Sequence, residues 1–215
     1  MFTIYGIPGS PFMRAVVAAL VEKGQPWRVV PLAPGASKQP EHLARHPFGR
    51  IPAVEHDGFA LYETQAVLRY IDQVFPQPPL TPRDAKAAAR MNQAIGINDW
   101  YLFKSVGAGI VFNRMIAPMF GMPSSEEAVA AAMPDARRCI RALDEMLGDK
   151  PFLAGDAVSL ADLHIGPHLD MLSDCPKEGA ELLGPTRLPA WLARLRERPS
   201  FQRTTMQQMQ LAAAA

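Results

Sequence analysis

Three places along the sequence carry groups that could do chemistry, and each stands at a helix start or a strand mouth. Ser10 precedes Pro11 at what reads as the start of a helix. A serine there either caps the helix through its hydroxyl, a contribution of about 1 kcal/mol, or turns that hydroxyl toward a bound molecule. Both readings stand at this level. Glu63 and Thr64 open a second helix. Its first-turn N–H groups lack intrahelical partners and attract a carboxylate, while the Glu63 side chain could hold an ammonium, so a zwitterionic ligand would suit both. Between them lies Pro52, which has no N–H to give to a ladder. That confines it to a strand entrance or edge and makes it a candidate for a cis bond, and an edge of this kind can pair with a peptide.

The elements that must position these groups are legible on either side. Ala53–His56 and Phe59–Tyr62 flank Asp57-Gly58, and Asp-Gly supplies the positive φ angles of a tight hairpin, so the two runs pair antiparallel. Apolar Ala66, Val67, Tyr70, Ile71 and Val74 then follow at the spacing of a helix buried along one face. Upstream, Phe2 to Tyr5 reads as a strand and Gly6 to Gly9 as a turn. The helix from Pro11 carries the stripe Met13, Val16, Val17 and Leu20 and ends at Gly24. Trp27 to Pro31 reads as a second strand, and Gln39 to His46 as a short helix that Pro47 prevents from continuing. The order is strand, helix, strand, helix, strand, strand, helix.

Pro76-Gln77-Pro78-Pro79-Leu80 is a break, beyond which the composition turns helical. The expected division is residues 1–75, a linker over 76–83, and an all-helical part over 84–215. Thr81-Pro82-Arg83-Asp84 reads as a cap, a first-position proline and an acid. A long helical stretch to Ile116 follows, bent near Gly96 or Gly107-Ala108-Gly109 and closed by Pro118. Ser124-Ser125-Glu126-Glu127 opens the next helix, in which Pro134 predicts a kink or break. In Ser159-Leu160-Ala161-Asp162, Ser159 caps and Asp162 reaches back to the Ser159 N–H. His164 and His168 are four apart, a spacing that can hold metal, but no third ligand follows and the structural reading is preferred. Leu188, Trp191, Leu192 and Leu195 form a further amphipathic helix. The tail around Met206 to Gln210 reads as a loosely docked or frayed helix.

With 215 residues, 48% of them hydrophobic, and 22 basic against 21 acidic residues, the chain reads as a soluble protein of one large or two small domains. The balanced charge argues against nucleic acid or a membrane surface as partner. The N-terminus starts directly on the apolar strand, which argues against a signal peptide and for the cytoplasm. Cys139 and Cys175 stand outside any Cys-x-x-Cys pattern and read as buried thiols rather than a disulfide or zinc site.

The ordered combination of three motifs resembles the glutathione transferases over nearly the whole chain. They are Tyr5 to Arg14 with Glu22-Lys23-Gly24; Leu43 to Ala53; and Phe152 to Asp156 running through Asp162-Leu163-His164. The pattern is nearest to the phi class and to serine-type bacterial relatives. The resemblance implies an α/β N-terminal thioredoxin-like domain plus an all-α C-terminal helical domain. It implies a cytoplasmic detoxification enzyme that uses glutathione as co-substrate and no metal. It puts Ser10 at the hydroxyl facing the glutathione sulfur, Lys38 at the glycyl carboxylate and Ile51 where the backbone pairs with the cysteinyl unit. Pro52 falls at the cis proline, and Glu63 and Thr64 at the γ-glutamyl end. Ser37 and Arg50 complete the glutathione contacts but depart from the histidine and glutamine that phi members commonly carry, and Thr64 replaces the commoner serine.

The electrophile pocket would draw on Phe12, the loop near Ala33 to Ser37, and Phe112 and Ile116, which read equally as plain helical core. The family pairs subunits, so a homodimer is expected. Phe48, in the loop before the cis proline, either inserts into the partner or packs locally. The competing activities are peroxide reduction, dehalogenation and isomerisation by the same thiolate. A non-catalytic binding module on the same fold is the alternative from another class.

Overall fold

The structure, a computed structural model, describes residues 1–214. It divides into two compact units, Met1–Leu80 together with the described residues from Arg196 onward, and Thr81–Leu195.

In the first unit β1 (Phe2–Gly6) is paired along both edges. After α1 (Pro11–Glu22), β2 (Trp27–Pro31) lies parallel to β1, with Phe2 opposite Trp27 and Gly6 opposite Pro31. A 3₁₀ turn at Ala36–Lys38 leads to α2 (Pro40–Leu43). The helix expected over Gln39 to His46 is shorter because its last turn tightens, Arg45 N–H bonding to the His42 carbonyl three residues back. Then β3 (Ala53–His56) pairs antiparallel with β1, and β4 (Phe59–Tyr62) with β3, giving the order β2-β1-β3-β4. The connecting Asp57 and Gly58 have φ of 48° and 82°, the positive angles the hairpin requires.

Helix α3 (Thr64–Val74) packs against α1. Their facing residues Met13, Val16, Val17, Leu20, Val67, Leu68 and Ile71 are fully buried with Ile4 and Phe2, each contributing about 1.5–3 kcal/mol by leaving water.

The second unit is helical. Its α4 (Ala85–Ile97) is capped by Asp84, whose Oδ1 accepts from the Ala87 N–H at 2.8 Å, three residues beyond the cap expected at Thr81. The helix continues as Asn98–Ile116 with the wider π-type turn; the Ala117 N–H, for example, bonds to the Phe112 carbonyl five residues back. Then follow α5 (Ala117–Met119), α6 (Glu126–Leu147), α7 (Leu160–Ser173), α8 (Pro176–Leu183) and α9 (Leu188–Arg196). The wide segment lies so close to α6 that a Cβ at Gly109 would fall 2.4 Å from the Ala132 Cβ. Only glycine fits. Pro134 does not break α6, because it and Ala130, whose carbonyl loses its partner, are both exposed to water.

The tail departs from expectation. Instead of belonging with the helical part, it belongs with the first unit. Glu22 accepts from Arg198 Nε and Nη2, both at 2.8 Å, and from Ser200 Oγ at 2.6 Å. Burial pushes the Glu22 carboxyl up, but these bonds outweigh it and leave it below its usual value. Helix α10 (Pro199–Gln202) lies on α1, and α11 (Met206–Ala214) on β2 with Met209 buried. Among the described residues no helix is long and apolar enough to cross a membrane.

At the start of α7 the expected capping box is larger than its sequence suggests. Asp162 is fully buried and accepts from four donors: Ser159 N–H at 2.9 Å, Ser159 Oγ at 2.6 Å, Leu153 N–H at 2.9 Å and Trp191 Nε1 at 2.8 Å. Burial pushes its carboxyl above the ordinary value while the donors pull the other way. The sequence alone gives the lost arm of a box, about 1 kcal/mol. The structure gives more: Asp162→Ala removes the acceptor of three further buried donors, the Leu153 and Trp191 N–H groups and the Ser159 hydroxyl, at about 1–3 kcal/mol each, partly offset by removing a buried carboxylate, for a net loss of roughly 3–5 kcal/mol. Denaturant unfolding measures it, and a loss of only about 1 kcal/mol would mean that the box alone matters.

Candidate active site

Strand register gathers the candidate residues. Tyr5 lies opposite Ala53, Ala53 opposite Tyr62, and Gly6 opposite Pro31. The chain therefore leaves β1 toward Ser10, leaves β2 toward Ser37 and Lys38, enters β3 from Ile51 and Pro52, and leaves β4 toward Glu63 and Thr64, all at one end of the sheet. A Cβ built on Gly6 would sit 3.5 Å from the Ile51 Cβ and 3.7 Å from the Pro52 Cα, so the turn and the loop are in contact.

Ser10 occupies the cap position of α1, and its carbonyl accepts from the Arg14 N–H at 2.8 Å. Its hydroxyl makes no capping bond among the described residues. The two readings of Ser10 thus separate: the backbone starts the helix and the hydroxyl remains half-exposed. Phe12 follows on the same helix, also half-buried.

The loop from Pro47 to Ile51 is held from the inside. Lys38 Nζ donates to the Phe48 carbonyl at 3.2 Å, the Gly49 N–H to the His46 carbonyl at 2.8 Å, and buried His42 places Nε2 2.7 Å from the Arg50 carbonyl. The Arg50 side chain points into solvent, Ile51 is half-buried, and the Ile51–Pro52 bond is cis with Pro52 buried. His46 is buried against Tyr62, ring centroids 4.8 Å apart. Burial, then the charges of His42, Arg50 and Lys38, hold its imidazole below the usual value. Phe48 touches His46 and Tyr62 edge-on at 6.2 and 6.3 Å yet remains 65% exposed.

Glu63 has φ of 67°, a conformation that side chains other than glycine adopt at a cost, and it directs an exposed carboxylate outward. Its carbonyl takes the Ala66 and Val67 N–H groups at 2.9 and 3.0 Å, so among the described residues the N–H groups of buried Thr64 and of Gln65 are the free ones of the first turn. Phe112 and Ile116 belong to the helical unit. Neither is core: Phe112 is 40% exposed and Ile116 partly so.

Other candidates drop out. Cys139 and Cys175 are buried, and burial first, then Glu178, pushes the Cys175 thiol up to about 11, which makes it a poor nucleophile. His164 Nε2 lies 2.6 Å from Asp99 Oδ1, and among the described residues no group of His, Cys, Asp or Glu is arranged to hold a metal ion.

The sequence model of the glutathione S-transferase N-terminal domain matches residues 4–79, and that of the C-terminal domain residues 109–199. Glutathione S-transferase F10 of Arabidopsis thaliana is 30% identical over 176 residues, spanning 80% of this chain and 81% of the plant protein. The chain belongs to the glutathione S-transferase family. Glutathione transferase F7 of Populus trichocarpa superposes with a TM-score of 0.84 at 29% identity, covering 95% of this chain and 97% of that one. Glutathione S-transferase I from maize, solved in complex with an atrazine glutathione conjugate, gives 0.82 at 28% identity over 97% and 98% of the two chains. These relatives carry the phi-class designation or its architecture, as the motifs implied, with a thioredoxin-like first domain and a helical second one.

Two residues of the site escape sequence reasoning. His42 reads only as a polar residue in a short helix. Gly49 has a legible φ requirement but not its neighbours: at φ 59°, a Cβ would fall 2.8 Å from the Ser37 carbonyl oxygen and 2.9 Å from Lys38 Nζ. Gly49→Ala should therefore destabilise the protein by roughly 1–3 kcal/mol through backbone strain and the displaced 37–38 segment. Thermal unfolding and glutathione titration check it; an alanine variant with unchanged midpoint and affinity would mean that the loop yields without cost.

Proposed function

We propose that this chain catalyses conjugation of glutathione to electrophilic carbon, a detoxification reaction, with Ser10 stabilising the glutathione thiolate. The observation that carries the reading is the Ser10 hydroxyl, free of its own helix and standing at the end of the sheet where Ile51, Glu63 and Thr64 converge. In the proposed complex the Glu63 carboxylate and the first turn of α3 take the ammonium and carboxylate of the γ-glutamyl unit. The Ile51 backbone pairs with the cysteinyl unit, and Lys38, Ser37 and Arg50 meet the glycyl carboxylate. Phe12 supplies apolar surface for the electrophile.

The energetics close without a general base. A thiol of pKa about 8.5 is only a few per cent ionised at pH 7, and lowering its pKa by about two units requires roughly 2.7 kcal/mol of preference for the anion. A hydroxyl hydrogen bond to a charged group supplies about 1.5–3 kcal/mol, and a helix N-terminus about 0.3–1 more. Ser10→Ala should leave glutathione affinity within a fewfold of the parent while raising the pKa of the bound thiol. Since the anion is the reactive form, the rate falls at neutral pH and partly recovers in alkali. Thiolate absorbance and conjugation of a chlorodinitrobenzene-type acceptor, both followed against pH, test this. Superimposable profiles would return Ser10 to a helix-start role, and retention on immobilised glutathione without turnover would favour a binding module.

We also propose a homodimer in which the exposed Phe48 inserts into the partner subunit. Its ring touches His46 and Tyr62 only at the edge, which leaves most of its surface for another chain. Phe48→Ala should weaken dimerisation at least tenfold in sedimentation equilibrium while leaving the fold intact. A variant as tightly dimeric as the parent would remove Phe48 from that role.

A further inference from the structure

Among the described residues the loop that offers Ile51 has no strand partner, so something must set the direction in which its backbone groups point. The Arg50–Ile51 peptide is trans, since the cis bonds are those before Pro52 and Pro78. In a trans peptide the C=O of one residue and the N–H of the next lie in one plane and point in opposite directions. The Arg50 carbonyl is turned inward, 2.7 Å from the His42 Nε2. The Ile51 N–H must then be turned away from His42, toward the side on which an extended ligand would pair. His42 itself cannot swing: it is 1% exposed on α2, with the His46 ring 6.3 Å from its own.

We infer that His42 is a positioning residue for the thiol peptide: by donating to the Arg50 carbonyl it fixes the Arg50–Ile51 peptide plane and so aims the Ile51 N–H at the ligand backbone. The inference rests on the glutathione reading above for the identity of the ligand, but not for the geometry. A carbonyl oxygen only accepts, so the hydrogen is on Nε2. Nδ1 is buried without a hydrogen-bond partner among the described residues, so the imidazole is held by the one bond its other nitrogen makes. The donor also polarises the shared amide and makes its N–H a better donor to a ligand carbonyl.

The test compares His42→Leu, which deletes the donor, with His42→Gln, whose amide N–H can replace it. His42→Leu should raise the KM and Kd for glutathione about tenfold, the cost of a carbonyl left unsatisfied or a plane left free to turn, with kcat at saturating glutathione and KM for the electrophile within twofold of the parent. His42→Gln should recover most of the affinity. Hydrogen exchange of the Arg50-to-Val54 amides in ligand-free protein should quicken in His42→Leu and not in His42→Gln.

A glutathione KM in His42→Leu equal to the parent's would overturn the inference, as would a fall in kcat alone. Should the leucine variant not fold, ¹⁵N chemical shifts of the parent imidazole decide instead: the hydrogen found on Nδ1 would sink the proposal, and on Nε2 would support it. A parent that binds no glutathione at all would end the ligand reading, whereas the exchange and tautomer results judge His42 independently of it.

Discussion

The site depends on the register that sets Tyr5, Ala53 and Tyr62 side by side across three strands. Side chains alternate along a strand, so a slip of one residue would turn the buried face of β3 outward and also withdraw Ile51 from Gly6. The register is itself over-determined. The Asp57-Gly58 turn fixes β3 against β4, and Phe2, stacked on His56 at 3.9 Å, fixes the other end of the β1–β3 pair. With β1 paired on both edges, the free backbone of this region falls to the segment that enters β3. Pro52 ends the ladder there because it has no N–H to continue it.

Comparison of helix starts within the chain shows where local rules are set aside. Ser125 uses its hydroxyl to accept from the Ala128 N–H at 3.1 Å, and Asp84 does the same for Ala87. Ser10 stands at the equivalent position and does not. The acids diverge in the same way: Asp162 is fully buried under four donors, whereas Glu63, just before α3, is exposed and makes no capping bond among the described residues. In the helical unit the caps are spent on folding. Those at the end of the sheet leave their polar groups outward, beside helix N-termini that favour an anion.

Much of this was legible because it is local. The hairpin, the starts of α1 and α6, the Ser159–Asp162 box and the stripe of α3 are each written within a few consecutive residues. What was not legible depends on residues distant in sequence. Trp191 and Leu153 convert an ordinary box at Asp162 into a buried four-donor site. Arg198 and Ser200 bind the tail to Glu22 across 176 and 178 residues. The need for glycine at 109 follows from how closely α6 approaches. The break expected at Pro134 does not occur, for a complementary reason. A proline's cost depends on whether the carbonyl it orphans meets water, and that depends on which face of α6 it occupies.

Glu63 carries the argument one step further. A non-glycine residue in a sparsely populated backbone region costs about 1–3 kcal/mol, and a glycine there would relieve most of it. Such a glycine would also have no carboxylate. The strain has a geometric effect: β4 ends at Tyr62 and α3 begins at Thr64, so one residue must make the whole change of direction, and φ of 67° at Glu63 does so. Spread over a longer loop, the same turn would move the first turn of α3 away from the end of the sheet and from Ile51. The packing of Val67, Leu68 and Ile71 against α1 exceeds the strain severalfold at about 1.5–3 kcal/mol per side chain. Core burial on one side of α3 thus sustains a tense junction on the other, and that junction holds the Glu63 carboxylate and the first turn of α3 at the end of the sheet.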